Sequence, residues 1–230
     1  MTIAAIQNAL QHCKAVLFDL DGVIADTEPL KFAAYQQVFQ ETYGVELPVS
    51  DVSWRGKKEQ AVMQYWFECF NLSGDVESLV QDKRQAYHQL LNSGNIPAVE
   101  GAVEFIHLIK SWPRVCGVAT SSSQKEAQMV LGHLGVLTHL DALVTRDDVQ
   151  NLKPKPDVYL QASKLLGILP ENCVVFEDSQ AGVQAAKSAG ALCVGVLTSF
   201  SNMALAQADF TIPNFTELLL SYRENHSEFA

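Results

Sequence analysis

Two aspartates stand one residue apart in "FDLDGVIADTE" (residues 18–28), directly after the apolar run "AVLF". Other apolar runs are followed by Thr120 with Ser121 to Ser123 ("ATSSS"), by Lys153 in "NLKPKPD", and by Glu177 and Asp178 in "VVFEDSQ". Singly, each has an ordinary explanation: an aspartate caps a turn, a serine or threonine caps a helix, a lysine is solvated in a loop. Gathered at one edge, the carboxylates of Asp19, Asp21, Glu177 and Asp178 repel one another unless a cation holds them. The hard cation suited to a few carboxylates, carbonyls and waters is Mg²⁺.

Such a set contains the parts that phosphoryl transfer requires: a nucleophile, a proton carrier, a metal and donors placed around the transferring group. Asp19 can attack phosphorus and form an aspartyl-phosphate, which divides one hard displacement into two easier ones. Asp21, two residues on, can protonate the leaving alcohol and then deprotonate a water. Thr120, Ser121 with the amides of the following helix start, and Lys153 can hold phosphate oxygens, while Glu177 and Asp178 can hold the metal. Two aspartates are needed because one bonds to phosphorus while the other moves the proton.

The elements that must position these groups are legible as short β-branched runs alternating with helical periods. "AVLF" (15–18), "VCGVA" (115–119), "ALV" (142–144), "CVVF" (173–176) and "LCVGVL" (192–197) read as buried parallel strands. Between the later runs lie amphipathic stretches such as "SQKEAQMVLGHLG", in which Ser123 and Glu126 fit a capping box and Gly135 a stop. The alternation implies an α/β fold with a doubly wound parallel sheet, whose ligands sit beyond the C-terminal strand ends. Almost a hundred residues separate the first run from the second, and that interval reads as helical. Leu30, Ala34 and Val38 share one face before Tyr43-Gly44; Val62, Trp66 and Phe70 mark a second helix, and Leu79, Tyr87 and Leu91 a third before Ser93-Gly94. Residues 28–95 are therefore expected to form a small helical domain inserted into a core of residues 1–27 and 96–230, joined by short linkers as a movable lid would be. The tail after Tyr222, "RENHSEFA", is polar and expected to be loose.

Composition narrows the function classes. The chain has 230 residues, 48% of them hydrophobic, enough for a substantial core. A formal charge of -10 argues against nucleic acid or an anionic membrane as the main partner, since each needs a basic face. Five cysteines without a CxxC pair read as reduced thiols and hence a cytoplasmic protein. The first fourteen residues lack the basic start of a signal peptide, no apolar run approaches a membrane span, and the six histidines show no zinc-binding spacing. The expected partner is a small phosphorylated metabolite, with the protein a monomer or weak dimer.

The segments "DLDGVIADTEP", "ATSSS", "LKPKPD" and "VVFEDSQAGVQAAKSAGA", in this order, resemble the four motifs of the haloacid dehalogenase (HAD) superfamily. The nearest likeness is to its β-phosphoglucomutase-like branch of small phosphatases and mutases. The resemblance covers roughly Lys14 to Ala191. It implies a Rossmann-like core with a helical cap inserted after the first strand, and an Mg²⁺-dependent aspartyl-phosphate mechanism. It puts the nucleophile at Asp19, the general acid/base at Asp21, the phosphate-binding groups at Thr120 and Lys153, and the acidic metal pair at Glu177 and Asp178. The metal would also take Asp19 and the main-chain carbonyl of Asp21. The dehalogenase branch lacks the second aspartate, so dehalogenation is not expected.

The choice between phosphatase and mutase rests on the cap. The β-phosphoglucomutases that this chain resembles carry a histidine at the position of Lys31, and a phosphate-gripping arginine where alignment on Gly56 puts Glu59. Lys31, Arg55, Lys57, Lys58 and Lys83 are the candidate cap contacts, each also readable as a solvated residue. A mutase needs a second anion site to hold a bisphosphate through reorientation, whereas a phosphatase needs only to admit water. "DTEP" resembles the sugar-phosphate phosphatases of the branch. A phosphatase for a small phosphorylated metabolite, a sugar phosphate above all, is the expected function, with β-phosphoglucomutase the alternative. Receiver-type phosphoacceptor modules gather similar groups but are shorter, uninterrupted by a cap, and carry their acidic pair before the phosphoacceptor. A non-catalytic protein on the same fold is expected to have lost an acid, and none is missing.

Overall fold

The computed structural model describes residues 2–50, 54 and 57–226. The chain divides into two compact units, Met1–Asp26 with Ile96–Ala230, and Thr27–Asn95. Among the described residues no helix is long and apolar enough to cross a membrane.

The larger unit is built on six parallel strands: β1 (Ala15–Phe18), β2 (Val115–Ala119), β3 (Ala142–Val144), β4 (Cys173–Glu177), β5 (Leu192–Val196) and β6 (Phe210–Ile212). Their order across the sheet is β3-β2-β1-β4-β5-β6. The order reverses at β1, so β2 and β4 flank it and a crevice opens beyond the C-terminal ends of these three strands. The register brings the ends level: Phe18 lies opposite Val118 on one side and Phe176 on the other. The residues that follow therefore leave the sheet together.

The central strands β1, β2, β4 and β5 are buried on both faces over nearly their whole length, which is why these runs are continuously apolar rather than alternating. On one face Phe18 and Phe176 stack with ring centroids 5.4 Å apart, and Phe105 and Phe215 pack against them. On the other, Leu17 and Val175 meet Tyr159, Ala162, Val183 and Ala186. These come from α7 (Asp157–Leu166) and α8 (Gln180–Ala189). The expected capping box is present at α6 (Gln124–His133), where Ser123 and Glu126 bond reciprocally.

The three helices expected within the smaller unit are α2 (Glu28–Tyr43), α3 (Glu59–Phe70) and α4 (Val76–Asn92). Gly44 ends α2 at φ 66°, left-handed backbone that glycine adopts without a Cβ clash. Phe39, Tyr43 and Phe67 form an aromatic cluster within the unit.

The structure departs from the sequence reading at both ends and in the sheet. An N-terminal helix, α1 (Thr2–His12), precedes β1, and β6 extends the sheet by one strand. Of the tail expected to be loose after Tyr222, residues 223–226 instead continue α9 (Thr216–His226) for a further turn, and residues 227–230 lie outside the described residues. Buried Leu218 and Tyr222, four residues apart, anchor the helix on one face, so its backbone continues through polar residues. Cys13, Cys116, Cys173 and Cys193 are buried free thiols, and Cys69 is an exposed one.

Candidate active site

Asp19 is the first residue past β1, still tied to the sheet through its amide, which donates to the Phe176 carbonyl at 2.9 Å. The chain then turns sharply: Leu20 O accepts from Ile24 N and Ala25 N, and Gly22 N donates to Ala25 O. Gly22 adopts φ +78°, and a Cβ there would lie 1.9 Å from Asp178 Oδ2. The turn thus needs glycine twice, for its backbone conformation and for the room the Asp178 carboxylate fills. Thr198 donates its hydroxyl hydrogen to the Gly22 carbonyl, securing the turn from the loop after β5.

Lys153 reaches in from the loop after β3, and its side chain is only 6% exposed. Its ammonium donates to Asp19 Oδ1 at 2.8 Å, Glu177 Oε1 at 2.6 Å and the Ala119 carbonyl at 3.0 Å. Burial alone would lower its pKa, but the carboxylates of Asp19 and Glu177 outweigh that effect and raise it, so the group stays charged.

Glu177, the last residue of β4, is fully buried. Its Oε1 accepts from Lys153 and from the Tyr159 hydroxyl at 2.8 Å, and its Oε2 accepts from the amides of Asp178 and Ser179 and the Ser179 hydroxyl. Gly182 in the first turn of α8 makes room for it, because a Cβ there would fall 1.7 Å from Oε1. Gly182→Ala is therefore expected to displace this carboxylate and destabilise the protein by about 1–3 kcal/mol. Gly132→Ala, in α6 with nothing within 4 Å of the added carbon, is expected to be neutral or mildly stabilising. Denaturant melts of the two variants check the contrast.

Oxygens of Asp19, Glu177 and Asp178 lie within 4.8 Å of one another, and all three residues are buried. Burial, with Glu177 and Asp21 nearby, pushes the Asp19 carboxyl up to about 7 in spite of Lys153. The donors are all oxygen and carry more negative charge than one ammonium balances, which is the environment a hard divalent cation relieves.

Thr120 is buried at the end of β2, its amide donating to the Val144 carbonyl at 2.9 Å and its hydroxyl oxygen accepting from Ser122 N at 3.0 Å. Ser121 is exposed, and Ser123 is committed to the α6 cap. Ser122 Oγ donates to Asp21 Oδ2 at 2.6 Å. The contacts of Ser122 and Tyr159 were missed by sequence reasoning. Nothing in "TSSS" distinguishes its serines, and Tyr159 reads as one more apolar helix position.

The smaller unit has charge pairs of its own. Lys31 bonds Glu28 at 3.1 Å, and Lys57 lies 5.1 Å from the centroid of the Tyr65 ring. Lys58 is exposed at the start of α3. Arg55 and Gly56 lie outside the described residues. Lys83 is buried, its ammonium 3.0 Å from Glu59 Oε1 and 4.8 Å from the Tyr35 ring centroid. Arg84, not singled out by the sequence reading, holds Glu59 Oε2 at 2.7 Å. Burial would raise the Glu59 pKa, but Lys83 and Arg84 together hold it below its usual range.

Comparison with known proteins follows the same lines. Residues 16–196 match the haloacid dehalogenase-like hydrolases. The chain is 38% identical over 183 residues to a phosphorylated carbohydrates phosphatase from Thermotoga maritima, covering 77% of this chain and 82% of that one. It is 35% identical over 206 residues to a validoxylamine A 7'-phosphate phosphatase from Streptomyces hygroscopicus subsp. limoneus, covering 89% and 95%. Its fold is similar to the crystal structure of a β-phosphoglucomutase from Clostridium difficile, with TM-score 0.73, 26% identity, and coverage of 94% and 98%. With a doubly wound parallel sheet behind the acidic cluster, Phe105 of α5 (Ala102–Lys110) packed beneath it, and a family match that runs from β1 to the end of β5, the chain belongs to the haloacid dehalogenase-like hydrolases.

Proposed function

We propose that this hydrolase is a phosphatase for a small phosphorylated carbohydrate, working through an aspartyl-phosphate at Asp19. The observation that carries the reading is the contact of Lys153 with Asp19 at 2.8 Å, beside Asp178 and two residues before a second aspartate. Lys153 orients the nucleophile and stays charged to meet phosphate oxygens. Asp21 gives a proton to the departing alcohol and later takes one from water. Thr120, Ser121 and the backbone at the start of α6 supply donors to the phosphoryl group. Asp19, Glu177, Asp178 and the Asp21 carbonyl would hold Mg²⁺, which when bound neutralises phosphate oxygens. Residues 27–95 would act as the cap that admits substrate and excludes bulk water.

Similarity to a phosphorylated carbohydrates phosphatase and to a validoxylamine A 7'-phosphate phosphatase supports the substrate class. Likeness to a β-phosphoglucomutase keeps a second reading in view. That reading requires the cap to attract a second phosphate. An isolated carboxylate at Glu59 would oppose it by roughly 4 kcal/mol for unit charges ~4 Å apart at an effective dielectric near 20. Lys83 and Arg84 reduce that repulsion, yet by pairing with Glu59 they are committed to a carboxylate. With Glu59 rather than an arginine at that position, we read the cap as suited to sugar hydroxyls rather than to a second phosphate. Phosphate release from sugar phosphates is expected to exceed conversion of β-glucose 1-phosphate to glucose 6-phosphate, with no stimulation by glucose 1,6-bisphosphate. Bisphosphate-dependent isomerisation with negligible phosphate release would make the protein a mutase.

A further inference from the structure

We propose that Ser122 is a positioning residue that aims the Asp21 carboxylate for proton transfer to the leaving alcohol. The proposal rests on the phosphatase reading above.

The Asp21 backbone is set by the Gly22 turn, but two side-chain torsions remain to be fixed before its carboxylate meets a leaving oxygen. Ser122 Oγ, 2.6 Å from Asp21 Oδ2, supplies a constraint from a different strand end, 101 residues away in sequence. Ser122 is itself held from both sides. Its amide donates to Thr120 Oγ1 at 3.0 Å, its carbonyl accepts from Arg146 N at 3.1 Å, and the next residue caps α6. A hydroxyl anchored this firmly can direct a neighbour rather than follow it.

The chemistry of the hydroxyl suits the task. A proton carrier alternates between carboxylic acid and carboxylate. Serine donates to Oδ2 both when the carboxyl is ionised and when it carries its proton on the other oxygen, so the side chain stays aimed in both states. Alanine cannot.

The consequence is selective. Esters with a poor leaving group need the proton from Asp21, whereas p-nitrophenyl phosphate expels a stable phenolate and does not. Ser122→Ala is expected to slow alcohol release from a sugar phosphate by about 10–100-fold, in single turnovers with Mg²⁺ and enzyme in excess, with KM in the steady state little changed. Nitrophenolate release under the same conditions is expected to stay within about threefold of wild type, well short of the effect of a misplaced catalytic group. Ser122→Thr, which keeps the hydroxyl, is expected to restore most of the lost rate.

Equal slowing with both esters would overturn the proposal, by assigning Ser122 to phosphate binding or to the fold. Unchanged alcohol release in Ser122→Ala, or no recovery in Ser122→Thr, would also overturn it. If the wild-type protein released neither alcohol nor nitrophenolate across a panel of phosphate esters, the phosphatase reading would fall and this proposal with it. An active wild type with an indifferent Ser122→Ala would overturn this proposal alone.

Discussion

Asp19→Asn is expected to lower phosphate release by more than about 1,000-fold, because an amide cannot accept the phosphoryl group. The fold should survive. Lys153 keeps Glu177 as a partner, and the substitution is nearly isosteric at the edge of the sheet. Stability is expected to move in the opposite direction to activity. The Asp19 carboxyl is pushed from 3.8 to about 7 by burial and neighbouring acids, so between these pH values the folded protein holds a proton that the unfolded chain has lost. Stability contributed by this group therefore falls as pH rises through that window. Asparagine removes the dependence. In chelator, the variant's melting temperature relative to wild type should rise from pH 4 to pH 7. A constant difference across that range would contradict the placement of Asp19 among buried carboxylates that Lys153 only partly compensates.

Removal of divalent metal is expected to reduce phosphate release by at least about 100-fold. A Lewis acid at a phosphoryl oxygen is worth several kcal/mol, and each 1.36 kcal/mol is tenfold in rate. Added Mg²⁺ should restore the wild type. Asp178→Ala should lose a comparable factor, and excess Mg²⁺ should recover little of it, because the substitution removes one of the clustered carboxylates that would hold the ion. Thermal shift supplies an independent readout: Mg²⁺ should raise the melting temperature of the wild type and raise that of the Asp178→Ala protein much less. Phosphate release unaffected by chelation would show that the acidic cluster has another purpose.

The parts of the fold legible in the sequence are those with a physical signature that repeats along the chain. "AVLF", "VCGVA" and "ALV" match β1, β2 and β3 residue for residue, since strands buried on both faces are continuous apolar runs. The runs at β4 and β5 differ from the observed strands by one residue at their ends. "FTI" gave no such signal at β6: three residues at the sheet edge, between Asp209 and Pro213, are too few to show a period.

The site divides along a similar line. Which acids, hydroxyls and lysine gather at the strand ends followed from the order of runs and polar residues. Which of them touch did not. The bonds from Lys153 to Asp19, from Ser122 to Asp21 and from Tyr159 to Glu177 join residues far apart in the chain, and their geometry is set by rotamers that no spacing records. In the smaller unit, Lys83 gave no sequence sign that it is buried against Glu59 between two tyrosines, because a lysine on a helix reads as solvated.

The central claim is a covalent phosphoryl bond to Asp19, and trapping tests it most directly. Enzyme in excess is mixed with a sugar phosphate and Mg²⁺, quenched in acid within a single turnover, and reduced with borohydride, which converts an acyl phosphate of aspartate to homoserine. Peptide mass mapping is expected to find homoserine at position 19 and at no other aspartate, and only when substrate and metal were both present. Unmodified Asp19 throughout turnovers that release phosphate, or homoserine at another position, would contradict the account.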